Sequence, residues 1–232
     1  CLTLYLLGVI KFPHDQKVGK FSFIRICSIV LAFSFSIYLA SGFTYNSETS
    51  TFKPLSLLSG LAPPVGYSIL YPNDCPNNLD CFKDLKSGIE YAKKVNKPIL
   101  LDFTGFACVN CRKMEEHIWP LSSIDKIIRN EYVLISLYVD DKKLLPKEEQ
   151  VLVKRSTGDG FRKLKNFGHK WAHFQTEFFQ TNSQPYYVLL NPEGNEILAS
   201  PVGYTPSEED YLSFLRSGLE SFDSKSVKFN IN

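Results

Sequence analysis

Two cysteines follow a short apolar run and open a helical pattern, and this arrangement constrains the fold more than any other feature of the chain. The run reads ILLDFT over 99–104, and the segment CVNCRKMEEHIW follows over 108–119. The run predicts a buried strand, and the second segment predicts a helix that begins at the cysteine pair. The field at a helix N-terminus favours negative charge and lowers the pKa of a cysteine placed there.

The predicted chemistry of the pair is disulfide exchange. A thiolate is the attacking species in that reaction, so Cys108 is the predicted nucleophile. Cys111 lies one turn further into the helix and suits the resolving role. A structural Cys108–Cys111 bridge is one alternative, and half of a zinc site completed by His169 and His173 is another. The gap between the two pairs is far longer than in a zinc finger, so we expect no metal.

The remaining patterns of the chain after about residue 80 predict alternating helices and strands. Apolar residues at helical spacing predict helices, and short apolar runs predict buried strands. The segments are FKDLKSGIEYAKKVNK (82–97) and SSIDKIIRN (122–130) as helices, YVLISLYVD (132–140) as a strand, PYYVLLNPEGNEILAS (185–200) as strand, turn and strand, and TPSEEDYLSFLRSGLESF (205–222) as a helix. This alternation predicts an α/β fold whose central mixed sheet is covered by helices on both faces.

Local signals refine the C-terminal part of this pattern. The turn between the last two predicted strands lies at Asn191–Gly194. Thr205 can cap the final helix, Pro206 suits its first position, and Glu208 completes a capping box. These residues predict that the final helix begins immediately after Thr205.

A long charged connection over 141–168 interrupts the alternation. Its segment VLVKRSTGDGFRKL predicts an exposed hairpin around Gly158 and Gly160. Long loops are often functional. The sequence leaves two interpretations of this connection open: it contacts a partner, or it is a solvent-exposed insertion without a function of its own. The formal charge of the whole chain is only +2, which indicates no nucleic-acid binding.

An uncharged stretch, ICSIVLAFSFSIYLASGFTYN over 26–46, is long enough to cross a bilayer. Tyr38, Phe43 and Tyr45 lie toward one end, where interfacial aromatic residues are expected. An earlier apolar run over 1–10 argues against a signal peptide. We therefore predict a transmembrane helix over 22–44, and a buried core helix is the alternative.

The flanking residues predict the orientation of this helix. Lys11, Lys17 and Lys20 lie in a loop over 11–21, and basic residues in short loops favour the cytoplasmic side. The linker predicted over 45–80 then lies outside the cytoplasm, in an oxidising compartment. Since the chain begins with a cysteine inside an apolar run, we expect residues 1–10 to be the end of a truncated transmembrane helix of a longer protein.

The segment KPILLDFTGFACVNCRKME resembles the active-site segment of thioredoxin-like proteins. It resembles more closely the C-terminal domain of the DsbD-type thiol:disulfide interchange proteins, and the resemblance covers nearly the whole chain. It implies a thioredoxin-like domain over 81–223 that contains the charged insertion and is followed by a tail over 224–232. It also implies a protein-disulfide reductase without a cofactor beyond a redox-active Cys108–Cys111 disulfide.

The resemblance also assigns roles to individual residues. Asp102 matches a buried acid below the pair, where burial raises the carboxyl pKa and allows a proton shuttle for Cys111. Glu115 matches a second acid that tunes the site, and an exposed helix charge is the alternative. Pro185, which follows Gln184, matches a proline that is cis and presents backbone groups to a partner chain. Arg112 carries a charge that favours the thiolates.

The residues between the cysteines are Val109 and Asn110, where ordinary thioredoxin carries Gly-Pro. We expect them to contact the substrate together with Gln184 and Pro185. For the other cysteines the prediction is less specific. Cys75 and Cys81 are predicted to form a local structural disulfide, with two free thiols or a second exchange pair as alternatives. Cys27 is interpreted as a small apolar residue, and Cys1 has no assigned role.

The resemblance finally implies partners and a location. Electrons would come from cysteines in the membrane core of the same protein, and periplasmic thioredoxin-like or disulfide-containing proteins would accept them. Disulfide isomerases and the cytochrome c maturation pathway are among the family's targets. The protein would lie in a bacterial inner membrane with its thioredoxin-like domain facing the periplasm. A disulfide oxidase or isomerase on the same fold, and a non-catalytic membrane-tethered binding module, are the alternatives.

Overall fold

Two compact units, Cys1–Leu57 and Leu58–Asn232, make up the chain. The structure is a computed structural model, and the residues it describes are 1–15, 21–46, 51–52, 55–58, 75–155 and 159–229. Part of the predicted basic loop and most of the predicted linker therefore lie outside the described residues.

The first unit contains two helices and a short ribbon. Helix α1 covers Leu2–Leu6, helix α2 covers Phe23–Ser41, and strands β1 (Tyr45–Asn46) and β2 (Thr51–Phe52) pair antiparallel. Nε of Arg25, at the start of α2, donates to the carbonyl of Leu6 at 2.7 Å. Helix α2 has a mean hydropathy of 2.0, and none of its most apolar stretch is buried. By length and composition this apolar helix is a candidate membrane anchor.

The second unit is built on a four-stranded sheet. Its strands are β3 (Cys81–Phe82), β4 (Ile99–Thr104), β5 (Val133–Tyr138) and β8 (Tyr186–Leu190), in the order β3-β5-β4-β8. The first three run parallel, and β8 runs antiparallel to β4. The helices are α3 (Leu85–Val95), α4 (Val109–Lys113), α5 (Ser122–Glu131), α6 (Phe167–Phe179) and α7 (Glu208–Phe229). This arrangement confirms the predicted mixed α/β sheet with flanking helices.

Successive side chains of the central strands point to opposite faces of the sheet, so the hydrophobic core has two halves. Ile99, Leu101 and Phe103 of β4 pack on one face of the sheet together with Trp171 of α6. Leu100 packs on the other face with residues of α5 and α7. Since side chains alternate along a strand, Asp102 and Thr104 point to the same face as Leu100.

The charged insertion contains the predicted hairpin. Strands β6 (Leu152–Lys154) and β7 (Phe161–Lys163) pair antiparallel. Gly160 precedes β7 with a φ of 101°, a conformation that glycine adopts without steric cost. Gly158 lies outside the described residues. Leu152 and Phe161 are both exposed.

The second strand predicted after the 191–194 turn does not form. Ile197 and Val202 make only isolated bridges, to Leu190 and Tyr187 respectively. More residues separate the two bridges on this segment than on β8, so the segment bulges between them. Pro201 lies in the bulge and has no N–H to give to a ladder, which explains why regular pairing stops.

The predicted start of the final helix is also wrong. Helix α7 begins at Glu208, and the Oγ of Ser207 accepts a hydrogen bond from the N–H of Asp210 at 3.3 Å. The hydroxyl of Thr205 instead donates to the carbonyl of Gly203 at 3.2 Å. Ser207 and Thr205 are both good capping residues. Because the Thr205 hydroxyl bonds to Gly203, Ser207 caps the helix instead. The helix also continues to Phe229, beyond the end predicted near Phe222.

The predicted linker extends too far toward the domain. Cys75 and Leu79 are buried, and Leu79 belongs to the core half formed around α5 and α7. A short 3-10 turn over Pro76–Asn78 lies between them. The residues from Cys75 onward are therefore part of the second unit.

Candidate redox site

The cysteine pair lies at the start of α4. Cys108 precedes the first residue of the helix, and its Sγ accepts a hydrogen bond from the N–H of Cys111 at 3.1 Å. The two sulfurs form a disulfide, with the Cα atoms 5.3 Å apart. Cys108 is half-buried whereas Cys111 is 1% exposed. Cys108 is therefore the more exposed residue of the two, which suits an attacking cysteine followed by a shielded resolving cysteine.

The loop that leads into the pair is held by Asp140. Its carboxylate accepts hydrogen bonds from the N–H groups of Phe106 at 2.8 Å and Ala107 at 2.9 Å. The ring of Phe106 stacks on Tyr138 with the centroids 4.3 Å apart. A Cβ on Gly105 would lie 3.1 Å from the Asp140 carboxylate. The end of β5 therefore fixes the approach of the chain to Cys108.

Asp102 is buried on the sheet face where α5 and α7 pack. It is 1% exposed, and one carboxylate oxygen accepts a hydrogen bond from Oγ of Ser136 at 3.1 Å. The other oxygen, Oδ1, has no hydrogen-bond partner within the described part of the chain. Burial raises the carboxyl pKa to about 7, against the lowering effects of Ser136 and Arg112. A carboxyl with this pKa can both take up and release a proton near neutral pH.

Glu115 and Arg112 form a buried ion pair. Arg112 is 4% exposed and Glu115 is 5% exposed. Nη2 of Arg112 donates to Glu115 at 2.6 Å and to Oγ1 of Thr104 at 3.2 Å, and Nη1 pairs with the second carboxylate oxygen. Burial raises the pKa of Glu115, Arg112 opposes this rise, and the nearby Asp102 adds to it. The sequence left an exposed helix charge open for Glu115, whereas the structure buries the side chain.

A π-helical turn over Met114–Ile118 places Glu115 in this position. The N–H of Trp119 donates to the carbonyl of Met114 at 2.9 Å, a spacing one residue longer than in an α-helix. The extra residue rotates the turn, and Met114, Glu115 and Ile118 all face the interior. Single π turns within helices are frequently found at functional sites.

Pro185 lies at the end of the sheet from which the cysteine loop leaves. The Gln184–Pro185 peptide bond is cis, as the resemblance predicts. Phe103 pairs with Tyr186 in the antiparallel register of β4 and β8. Because Thr104 ends β4 and Pro185 precedes β8, the proline and the start of the cysteine loop lie at the same edge of the sheet.

The other residues expected to contact a substrate differ in their surroundings. Val109 is 41% exposed, and Asn110 is also exposed. Gln184 is half-buried, and its side-chain amide donates to Oε1 of Gln175 at 3.0 Å and to the carbonyl of Asn182 at 2.7 Å. Val109 and Asn110 therefore present side chains to solvent, while Gln184 supports the segment before the cis bond.

The remaining cysteines fall into two groups. Cys75 and Cys81 are joined by a disulfide, with Cα atoms 5.9 Å apart. Cys1 and Cys27 are free thiols and are exposed. The Cys75–Cys81 bridge closes the loop that carries the 3-10 turn, next to the edge strand β3.

The histidines considered for zinc lie on α6. His169 and His173 are both within this helix, whereas the cysteine pair begins α4. In the described ranges, no cluster of three or more His, Cys, Asp or Glu side chains has the geometry to bind a metal ion.

Sequence reasoning missed several polar residues around the pair. They are Thr104, Ser136 and Asp140, which bond to Arg112, to Asp102 and to the loop before Cys108 respectively. Thr104 and Ser136 interrupt otherwise apolar strands on the face occupied by Asp102. Polar positions within the runs ILLDFT and VLISLY were the available signal, because a buried hydroxyl needs a partner.

Comparison with protein families gives one match to the body of the second unit. Residues 85–218 match the thioredoxin-like domain family. The matched range includes the cysteine pair, both buried acids and the cis-proline. No significant match was found among curated proteins.

The solved structures that match this chain are distant from it in sequence. DsbH oxidoreductase is 21% identical, with a TM-score of 0.43, and the match covers 61% of this chain and 85% of that one. A thioredoxin from Thermus thermophilus is 12% identical, with a TM-score of 0.45 and coverage of 66% and 96%. A disulphide isomerase from Xylella fastidiosa is 14% identical, with a TM-score of 0.36 and coverage of 73% and 100%.

Proposed function

The chain belongs to the thioredoxin-like domain family, and on that premise we propose that it is a membrane-anchored protein-disulfide reductase of the DsbD type. The single observation that carries the proposal is the half-buried Cys108 joined to the buried Cys111 at the start of α4, with the acid Asp102 buried on β4, the strand that leads to the pair. A bridge that served only to stabilise the fold would need neither a partly exposed cysteine nor a buried carboxyl that can accept a proton.

In the first step the reduced protein attacks a disulfide of its partner. The Cys108 thiolate bonds to one partner sulfur, the partner S–S bond breaks, and the other partner sulfur leaves as a thiolate. The product is a mixed disulfide between Cys108 and the partner. The N-terminus of α4 favours the Cys108 thiolate, and the exposed Val109 and Asn110 beside it are available to contact the partner chain.

In the second step Cys111 releases the partner. Its thiol gives a proton to the Asp102 carboxylate, its sulfur attacks the Cys108 sulfur, the bond between Cys108 and the partner breaks, and the partner sulfur that was bonded to Cys108 leaves as a thiolate. The Cys108–Cys111 disulfide is formed, so this protein loses two electrons and the partner gains them. The uncommitted Oδ1 of Asp102 and its pKa of about 7 suit this proton transfer.

The remaining elements of the proposal follow from the resemblance and from α2. The apolar helix α2 anchors the chain in a bacterial inner membrane, and the thioredoxin-like domain faces the periplasm. Cysteines in the membrane core of the same protein re-reduce the Cys108–Cys111 disulfide. The acceptors are periplasmic proteins with accessible disulfides, including disulfide isomerases and the cytochrome c maturation pathway. No further cofactor takes part.

Trapping of the mixed disulfide tests the proposal. The Cys111→Ser protein should form a covalent adduct with a disulfide-containing peptide, because Cys108 attacks and nothing resolves the product. Cys108→Ser should form none at Cys111, and peptide mass spectrometry separates this site from the exposed free thiols Cys1 and Cys27. Equal adduct formation by both variants, or by neither, would contradict the assigned roles. A client contact that survives unchanged in Cys108→Ser would favour the non-catalytic binding module.

A further inference from the structure

The backbone of Glu115 depends on a side chain from outside its own helix. In an α-helix the N–H of Trp119 would donate to the Glu115 carbonyl, but in the π turn it donates to Met114 at 2.9 Å. The next donor in the π register is the nitrogen of Pro120, which carries no hydrogen. The side-chain amide of Asn77 takes this position and donates to the Glu115 carbonyl at 2.8 Å.

Asn77 is itself held in a closed loop. The Cys75–Cys81 disulfide joins the two ends of the loop. The guanidinium of Arg129 in α5 donates to the carbonyls of Asn77 at 2.7 Å and Asn78 at 2.9 Å. Asn77 has a positive φ of 53°, which asparagine tolerates better than most residues. The loop therefore presents a fixed amide to the π turn.

We propose that the Cys75–Cys81 loop is a positioning element of the redox site, and that Asn77 is its positioning residue. By bonding the carbonyl of Glu115, Asn77 holds the π turn so that the Glu115 carboxylate meets Arg112 beneath the cysteine pair. The inference rests on the proposed function and deepens it, since it gives the Cys75–Cys81 disulfide a role in the chemistry of the Cys108–Cys111 pair.

The expected effect on Cys108 follows from the charges around Glu115. The titratable and charged groups that interact with it are Arg112 of α4, Asp102 of β4, Glu116 of the same turn, and the phenols of Tyr138 of β5 and Tyr187 of β8. When Glu115 meets Arg112, the two charges largely cancel. When Glu115 moves away, the guanidinium keeps its full positive charge near the cysteine pair, and the Cys108 thiolate is stabilised.

Glycine substitutions separate the amide of Asn77 from the shape of its loop. Asn77 and Asn78 have nearly equal positive φ angles, 53° and 52°, and glycine keeps such a backbone without strain. Asn77→Gly removes the amide that bonds Glu115. The matched control is Asn78→Gly, because the Asn78 side chain is exposed and makes no hydrogen bond to the residues that the structure describes.

The measurement is the pH dependence of Cys108 alkylation in the full chain in detergent. A Cys111→Ser background leaves Cys108 free while the Cys75–Cys81 bridge stays intact, and peptide mass spectrometry separates Cys108 from Cys1 and Cys27. Asn77→Gly should move the midpoint of the profile to lower pH, with a gain of about threefold or more in rate below the midpoint. Asn78→Gly should not move it.

A second background makes the result specific to Glu115. With Glu115→Gln added, Asn77→Gly should produce no further shift, because the carboxylate that it positions is gone. An unmoved midpoint for Asn77→Gly, or an equal shift with and without Glu115, would overturn the inference. The adduct of Cys111→Ser with a peptide disulfide is scored on the same protein, so failure of the proposed function is recognised independently.

Discussion

At the residue scale, Asp102 carries a free-energy cost that depends on pH. The pKa of its carboxyl is about 7 in the fold, against an ordinary value of 3.8. Between about pH 4 and pH 7 the folded chain keeps a proton that the unfolded chain has lost. The free energy of unfolding therefore falls as the pH rises through this range, and above it the fold holds a buried charge.

We predict that Asp102→Asn stabilises the fold at alkaline pH. The amide cannot ionise, and its oxygen can still accept from Ser136. The free energy of unfolding should exceed that of the parent by roughly 2–4 kcal/mol at pH 8, and should match it near pH 4. Urea unfolding followed by tryptophan fluorescence measures this, because Trp119 and Trp171 are both buried in the second unit. A difference that does not change with pH would contradict the raised pKa.

The Arg112–Glu115 pair gives a second residue-scale prediction. Arg112→Met leaves the Glu115 carboxylate buried without its partner, which should cost about 3–5 kcal/mol at pH 8. The loss should shrink at lower pH, as Glu115 takes up a proton. Adding Glu115→Gln should recover most of the stability, since no buried charge remains. If urea unfolding shows that the double variant is no more stable than Arg112→Met, the loss of stability does not come from the unpaired Glu115 carboxylate, and the prediction is contradicted.

The resemblance implied a buried acid at Asp102 and a second acid at Glu115, with an exposed helix charge as the alternative for Glu115, but Ser136 and Asn77, which bond to them, were not predicted. Asp102 and Glu115 stand at positions that a family motif marks. The roles of Ser136, Asp140 and Asn77 arise from contacts between segments far apart in the chain. Such contacts follow from strand register and loop closure, which no local pattern encodes.

At the scale of the elements, α6 packs closely on the loop that follows β5. A Cβ on Gly168 would lie 2.7 Å from the Val139 carbonyl oxygen and from the Asp141 nitrogen. These are backbone atoms and cannot rotate away, so Gly168→Ala should lower the free energy of unfolding by about 1–3 kcal/mol. Gly203→Ala is the control, because its Cβ would meet only the Pro185 carbonyl oxygen at 3.5 Å. Equal stabilities of the two variants in urea would refute the close packing.

Element types were easier to predict than their ends. The buried strands β4 and β5 and the helices α3 and α5 follow from apolar runs and helical spacing. The π turn could not be predicted, because an α-helical pattern and a π turn differ by one residue and tertiary contacts select between them. Pro201 was the available signal against the second strand after β8, because proline has no N–H to donate to a ladder.

At the scale of the whole molecule, the proposed anchor makes a distinct prediction. The full chain expressed in bacteria should remain in the membrane pellet after an alkaline carbonate wash. Arg at the exposed positions Val30 and Ile37 of α2 should release it, since each Arg at a helix centre costs about 2.5–3.5 kcal/mol of insertion. Val30→Leu with Ile37→Leu is the matched control. Retention of the Arg variant would show that α2 does not anchor the chain.

The central claim concerns the working direction of the cysteine pair, and its reduction potential tests this most directly. The purified protein would be equilibrated in defined thiol buffers, and the alkylated Cys108 and Cys111 counted by peptide mass. A reductase predicts a potential of about −270 to −200 mV. A value near about −120 mV would make the protein an oxidant, and a value below about −300 mV would make the bridge structural. Either of these results would contradict the proposed reductase.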